Sequence, residues 1–112
     1  MCELLSDEAA LEQYVRSHPI CLVYFSTPDC GVCAALKPKL GAMLEQRFPK
    51  IAFAEVDCSL SPSLAAGYSV FSVPTLIVFT QGKESLRKSR SLGLGVLAGE
   101  LERPYSLVYG GN

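Results

Sequence analysis

The chain has 112 residues, 49% of them hydrophobic and 19% charged, with a formal net charge of −1. That length suits one compact domain, residues 1–112, and leaves too little apolar surface for a second core. The balance excludes a disordered chain, and the near-neutral charge excludes a global field that would recruit nucleic acid or an anionic membrane.

The opening residues Met1-Cys2-Glu3-Leu4-Leu5 lack a basic start followed by a long apolar run, so no signal peptide is read there. The apolar run at 76–79 is far too short to span a bilayer. A cytoplasmic location is therefore the expectation, with no membrane and no nucleic acid among the partners. Five cysteines, at positions 2, 21, 30, 33 and 58, make an odd set that does not suit a disulfide-stapled scaffold.

Ser6 is placed to cap a first helix, with Asp7 and Glu8 in its opening turn, where acids suit the helix dipole. Leu11, Tyr14 and Val15 give that helix one apolar face, which ends before His18-Pro19. Residues 20–25 form an almost unbroken apolar run, the pattern of a strand buried on both faces. The segment 26–29 breaks the strand, and a helical pattern starts near Cys30. Leu36, Leu40, Met43 and Leu44 carry its buried stripe towards Phe48, with a kink expected at Pro38. Residues 51–56 read as a second strand, 61–68 as a short helix closed near Gly67, and 75–79 as a third strand. Gln81-Gly82 turns that strand into a fourth from about Glu84 to Arg90. Leu97 and Leu101 mark a last helix that Gly95 and Gly99 weaken and that Pro104 should kink or end. The predicted architecture is α/β: a parallel βαβ unit followed by an antiparallel hairpin, giving a mixed four-stranded sheet flanked by helices on both faces.

Cys30-Gly31-Val32-Cys33 falls where the buried strand meets a helix. A thiolate is the species that attacks disulfides, and the unpaired amides and dipole of a helix start stabilise it. Cys30 stands at that start, and Cys33 follows one turn later on the same face. Cys30 is therefore assigned as nucleophile and Cys33 as the thiol that resolves the mixed disulfide, while Gly31 keeps the bend free of a side chain. A structural zinc needs four ligands. Cys58 and His18 are the only spare strong candidates away from the termini, and neither forms a second spaced pair, so no metal site is expected. Val73-Pro74-Thr75 is the second informative segment, a proline opening an apolar strand where its missing donor costs little. Taken alone it reads as an ordinary trans proline.

Residues 25–33, Pro38, Val56-Asp57, Val73-Pro74-Thr75 and Gln81-Gly82 together resemble the thioredoxin family in order and spacing, over nearly the whole chain. The resemblance implies a thioredoxin-like fold, a cis peptide before Pro74, and a Val73 backbone that pairs with an extended substrate segment. It makes Gly31, Val32, Val73 and Pro74 the expected substrate-binding residues. It also implies disulfide exchange with protein substrates, with no bound cofactor, a reductase or small thiol as electron donor, and a monomer.

The departures from the family pattern are specific. Asp29 replaces the family's tryptophan and Val32 its proline. Tyr24 occupies the position of the buried aspartate beneath the cysteines, and the lysine paired with that aspartate is matched to Phe53. Asp29 and Tyr24 are thus candidate modulators of thiol ionisation. A carboxylate beside Cys30 opposes a second negative charge, although aspartate equally suits helix capping. These departures keep open a non-catalytic adaptor that retains only the fold. Cys58 is read as a packed cysteine, Cys21 as core, Cys2 as part of a frayed terminus and His18 as a surface loop residue. Lys83, Arg87, Lys88 and Arg90 read as charges protecting an edge strand. Tyr105 and Tyr109 either pack back or form a contact surface.

Overall fold

The computed structural model describes residues 2–89 and 93–110. Among them the chain forms β1 (Cys2–Leu4), α1 (Glu8–Ser17), β2 (Ile20–Ser26), α2 (Gly31–Arg47), β3 (Ala52–Asp57), α3 (Pro62–Gly67), β4 (Thr75–Thr80), β5 (Lys83–Ser89) and α4 (Leu94–Tyr109). The strands make one sheet in the order β1-β3-β2-β4-β5. The three strands β1, β3 and β2 run parallel, and β4 and β5 complete the sheet antiparallel.

The sheet thus has five strands among the described residues rather than four. The extra one is β1, whose Cys2 pairs with Phe53 and whose Leu4 pairs with Glu55. Cys2 is accordingly half-buried in a strand, not part of a frayed end. Three residues carry too little pattern to announce a strand.

β2 is buried along its whole length because both faces are covered. Val23 and Phe25 pack with Leu11, Val15 and Leu64, under α1 and α3. Leu22 and Tyr24 face the other way, among Leu40, Leu44, Leu97 and Leu101 of α2 and α4. Alternate side chains of one extended strand therefore build two cores, the arrangement that a continuous apolar run demands.

Several local expectations change in detail. Asp7, not Ser6, caps α1, its carboxylate accepting from the Ala10 amide at 2.8 Å. His18 ends α1 half-buried, its Nδ1 bonded to the Tyr14 carbonyl at 2.9 Å and its ring 4.3 Å from the Tyr14 ring, so it is more than a surface loop residue. The β4–β5 turn is as expected: Gln81 (φ +54°) and Gly82 (φ +81°) both take the left-handed conformation a tight hairpin needs. Arg90, the predicted end of β5, lies outside the described residues.

α4 does not end at Pro104 but runs on to Tyr109, where Gly110 closes it at φ +88°. The last turns are held by packing: Tyr105 stacks edge-on against Phe48 at 5.2 Å. Tyr105 Oη accepts from the Lys50 amide and Tyr109 Oη donates to the Lys50 carbonyl, both at 3.2 Å. Both tail tyrosines therefore pack back on the body of the protein.

Candidate active site

β2 ends at Ser26, and a four-residue turn leads to α2. Cys30 is the N-cap of that helix, in extended conformation (φ −91°, ψ 106°). Its Sγ accepts the Cys33 amide hydrogen at 3.2 Å, and its carbonyl accepts from Ala34 at 3.1 Å. The capping role considered for Asp29 is thus filled by the cysteine sulfur itself, and Asp29 is exposed beside it. A sulfur that already receives a backbone N–H at a helix start is placed to be the attacking atom.

Cys33 is 3% exposed, whereas Cys30 is half-buried, so the two thiols differ in access. Burial, then the hydrogen bond with Cys30, pushes the Cys33 thiol up from the ordinary 9.0 to about 11. Gly31 opens α2, and a Cβ built there would meet nothing within 4 Å, so the fold itself does not require glycine. Val32 is 63% exposed, an apolar side chain left on the open side of the pair.

Tyr24 lies fully buried beneath the helix start. Its hydroxyl donates to the Cys33 carbonyl oxygen at 2.9 Å, which satisfies the phenol in an apolar setting. Burial, followed by the proximity of Cys33 and Cys30, drives the Tyr24 hydroxyl well above the usual tyrosine range. At neutral pH it is therefore a donor and not a base.

The strand register corrects the matching of Phe53 to a charged partner of that position. Phe53 stands across from Leu22; the residue across from Tyr24 is Glu55. Glu55 forms an ion pair with Lys37 of α2, four residues beyond Cys33 and so on the same helix face. Tyr24, Cys33, Lys37 and Glu55 line one open recess of about 330 Å³. A charged pair therefore stands beside the buried thiol. The signals were present in the sequence: Lys37 sits at i+4 from Cys33, and Glu55 shares the strand face of Phe53.

The Val73–Pro74 peptide is cis, as the family resemblance implied and the proline alone did not. The register sets Thr75 across from Phe25, so Pro74 lies one position further, at the end of the sheet from which the Cys30 turn departs. Pro74 is buried; Val73 is half-buried and packs, as Cys30 does, on the core cluster that holds Cys33. Cys58 is half-buried and follows β3, its amide bonded to the Ser26 carbonyl at 2.8 Å; Cys21 is fully buried. Among the described residues, no three His, Cys, Asp or Glu side chains converge as a metal ion would need.

The thioredoxin family model matches residues 3–98. The chain belongs to the thioredoxin family. Within it, the chain is 35% identical over 101 residues to a thioredoxin-like protein, YdfQ, of Bacillus subtilis, covering 90% of this chain and 89% of that one. It is 42% identical over 73 residues to a thioredoxin of Chlamydia trachomatis, covering 65% and 68%. Its structure superposes on Fasciola hepatica thioredoxin with a TM-score of 0.78 at 29% identity, over 87% of this chain and 94% of the other. A thioredoxin mutant from Halobacterium salinarum gives 0.81 at 25% identity, over 89% and 87%. Thioredoxin-family membership supports thiol–disulfide oxidoreductase chemistry at the level of the family, and Cys30 and Cys33 fit its Cys-x-x-Cys motif.

Proposed function

We propose that this protein reduces or exchanges disulfides in other proteins, with Cys30 as nucleophile and Cys33 as resolving thiol. The observation that carries the reading is the Cys30 sulfur at the start of α2, accepting the amide of a Cys33 buried one turn behind it. The Cys30 thiolate attacks one sulfur of a substrate disulfide, whose S–S bond breaks as a new one forms to Cys30. The departing substrate thiolate takes a proton from solvent. Cys33 then loses its proton and attacks the Cys30 sulfur, releasing the second substrate thiolate. Two electrons have passed to the substrate, and the Cys30–Cys33 disulfide remains.

The Val73 backbone, beside the cis Pro74, pairs with an extended substrate segment in the manner of an added strand. Main-chain pairing tolerates many sequences, which suits protein substrates as a class. Exposed Val32 adds apolar contact next to the reacting sulfur. A reductase or a small thiol returns the oxidised pair to the dithiol, and no bound cofactor enters the cycle. The odd number of cysteines suits a reducing compartment such as the cytoplasm, and we include that setting in the proposal.

Insulin reduction, driven by dithiothreitol and followed by precipitation of the free B chain, tests the reading. Wild type is expected to accelerate the reaction, and Cys30→Ser to abolish the acceleration. Catalysis that survives Cys30→Ser together with Cys33→Ser overturns it, and partner capture by the doubly substituted chain would favour the adaptor.

A further inference from the structure

Residues 68–74 lie outside every helix and strand, yet they carry the Val73 backbone that the proposed function requires to be held still. Side chains of the neighbouring β4 and β5 hold this segment at its ends. At the far end, Thr75 Oγ1 donates to the Ser72 carbonyl at 2.7 Å and shares a hydrogen bond of 3.0 Å with Ser89 Oγ.

The near end is held by Arg87. Its Nη2 donates to the Tyr68 carbonyl at 2.9 Å and its Nη1 to the Ser69 carbonyl at 3.3 Å. The same guanidinium donates through Nε and Nη2 to the two carboxylate oxygens of Glu84, at 2.8 and 2.9 Å. A planar fork gripped on one edge by a carboxylate has its remaining donors aimed in one direction. What it grips is a turn that needs holding. Ser69 has φ +59°, a left-handed conformation that strains a residue with a Cβ. Such conformations persist where surrounding contacts over-determine them.

We propose that Arg87 is a positioning residue for the peptide-binding edge: oriented by Glu84, it fixes the Tyr68–Ser69 turn and thereby the path of the chain to Val73 and Pro74. The inference rests on the proposed role of Val73 in pairing with substrate. An edge already in place binds a peptide without the cost of ordering a loop. Removing the guanidinium leaves two carbonyls to water and the strained turn held only by the Ser69 and Val70 amides on the Ala66 and Ala65 carbonyls. Substrate affinity then falls, whereas thiol chemistry at Cys30, which Arg87 does not touch, is unchanged.

Arg87→Met, Arg87→Lys and Glu84→Gln are compared with wild type in the full chain, using insulin as the protein disulfide and 5,5′-dithiobis(2-nitrobenzoate) as a small one. For Arg87→Met, KM for insulin is expected to rise about fivefold to tenfold, less than the full worth of a hydrogen bond to a charged group because Arg87 acts on the edge and not on the substrate. Its kcat and its rate with the small disulfide should stay at wild-type values. Arg87→Lys should recover only part of the loss, because an ammonium on a shorter reach lacks the planar fork that serves the two Glu84 oxygens and the Tyr68 and Ser69 carbonyls together. Glu84→Gln, which keeps shape and removes charge, should shift KM in the same direction by less, and carries the test if Arg87→Met does not fold. Hydrogen exchange at residues 68–73 should quicken in every variant. An unchanged KM, or a parallel fall in kcat and in the small-disulfide rate, overturns the proposal. If wild type reduces the small disulfide but not insulin, the functional reading fails instead. Exchange at 68–73 then judges the clamp by itself, and protection equal to wild type in Arg87→Met refutes it.

Discussion

The Tyr24 hydroxyl donates to the Cys33 carbonyl oxygen at 2.9 Å, tying the base of the central strand to the first turn of the active-site helix. Tyr24→Phe removes one buried hydrogen bond with almost no change in volume. Stability should fall by about 1 kcal/mol, the usual net worth of such a bond. Urea unfolding measures it, and an unchanged midpoint would mean that the bond contributes nothing to holding the helix start.

The buried resolving thiol sets a pH dependence. Cys33 is pushed up to about 11, so at neutral pH nearly all of it is protonated. Burial, the first cause of that rise, persists in a mixed disulfide on Cys30, so its resolution should quicken with rising pH, by up to about tenfold per unit, beyond pH 8. Rapid-quench measurement of substrate release reads this directly. A plateau already at pH 8 would show that something else takes the proton.

The same shift links to stability. The folded chain holds the Cys33 proton more tightly than the unfolded chain, whose thiol ionises near 9.0. This contribution is fully present below pH 9 and is lost as pH rises towards 11. Cys2, pushed up to about 11, and Cys21, to about 12, both chiefly by burial, act in the same direction. Chemical unfolding from pH 8 to 11 should show a steadily falling midpoint. In a Cys33→Ser variant the fall should be shallower, and a slope equal to wild type would contradict the assignment.

A reduction potential of about −270 to −200 mV is expected, between thioredoxin-like and glutaredoxin-like values. The Cys30 sulfur receives one backbone amide at the helix start, and Val32 replaces the family's proline between the cysteines. Equilibration with glutathione determines the value. A potential near that of the strong periplasmic oxidants would mean a far more stabilised dithiol form than this geometry supports.

Cys58 follows β3 at the same end of the sheet, half-buried, with its thiol held above the ordinary range by burial and then by the neighbouring Asp57. A thiol kept protonated is a poor nucleophile. Cys58→Ser should leave insulin turnover within about twofold of wild type, the scale of an ordinary part-exposed substitution. A larger loss would place Cys58 in the chemistry.

What the sequence made legible was whatever a local pattern carries. β2 announces itself because both of its faces are buried, and the strand-to-helix junction at Cys30 follows from the break at residues 26–29. β1 was invisible because three residues become a strand only by pairing with β3. α4 outlasts Pro104 because Tyr105 and Tyr109 pack on Phe48 and Lys50, a tertiary contact that outweighs local helix propensity. Phe53 and Glu55 share one strand face in the sequence, and only the register between β2 and β3, which neither strand carries alone, decides that Glu55 stands across from Tyr24. Arg87 could not be recognised at all, since its acceptors beyond Glu84 are backbone carbonyls 18 and 19 positions away.

Intact-mass analysis of the Cys33→Ser variant after incubation with oxidised insulin tests the central claim most directly. The account predicts a stalled covalent adduct, released by dithiothreitol, with the modified peptide mapping to Cys30. No adduct, or one that maps to Cys58 or Cys2 while Cys30 stays free, would contradict it.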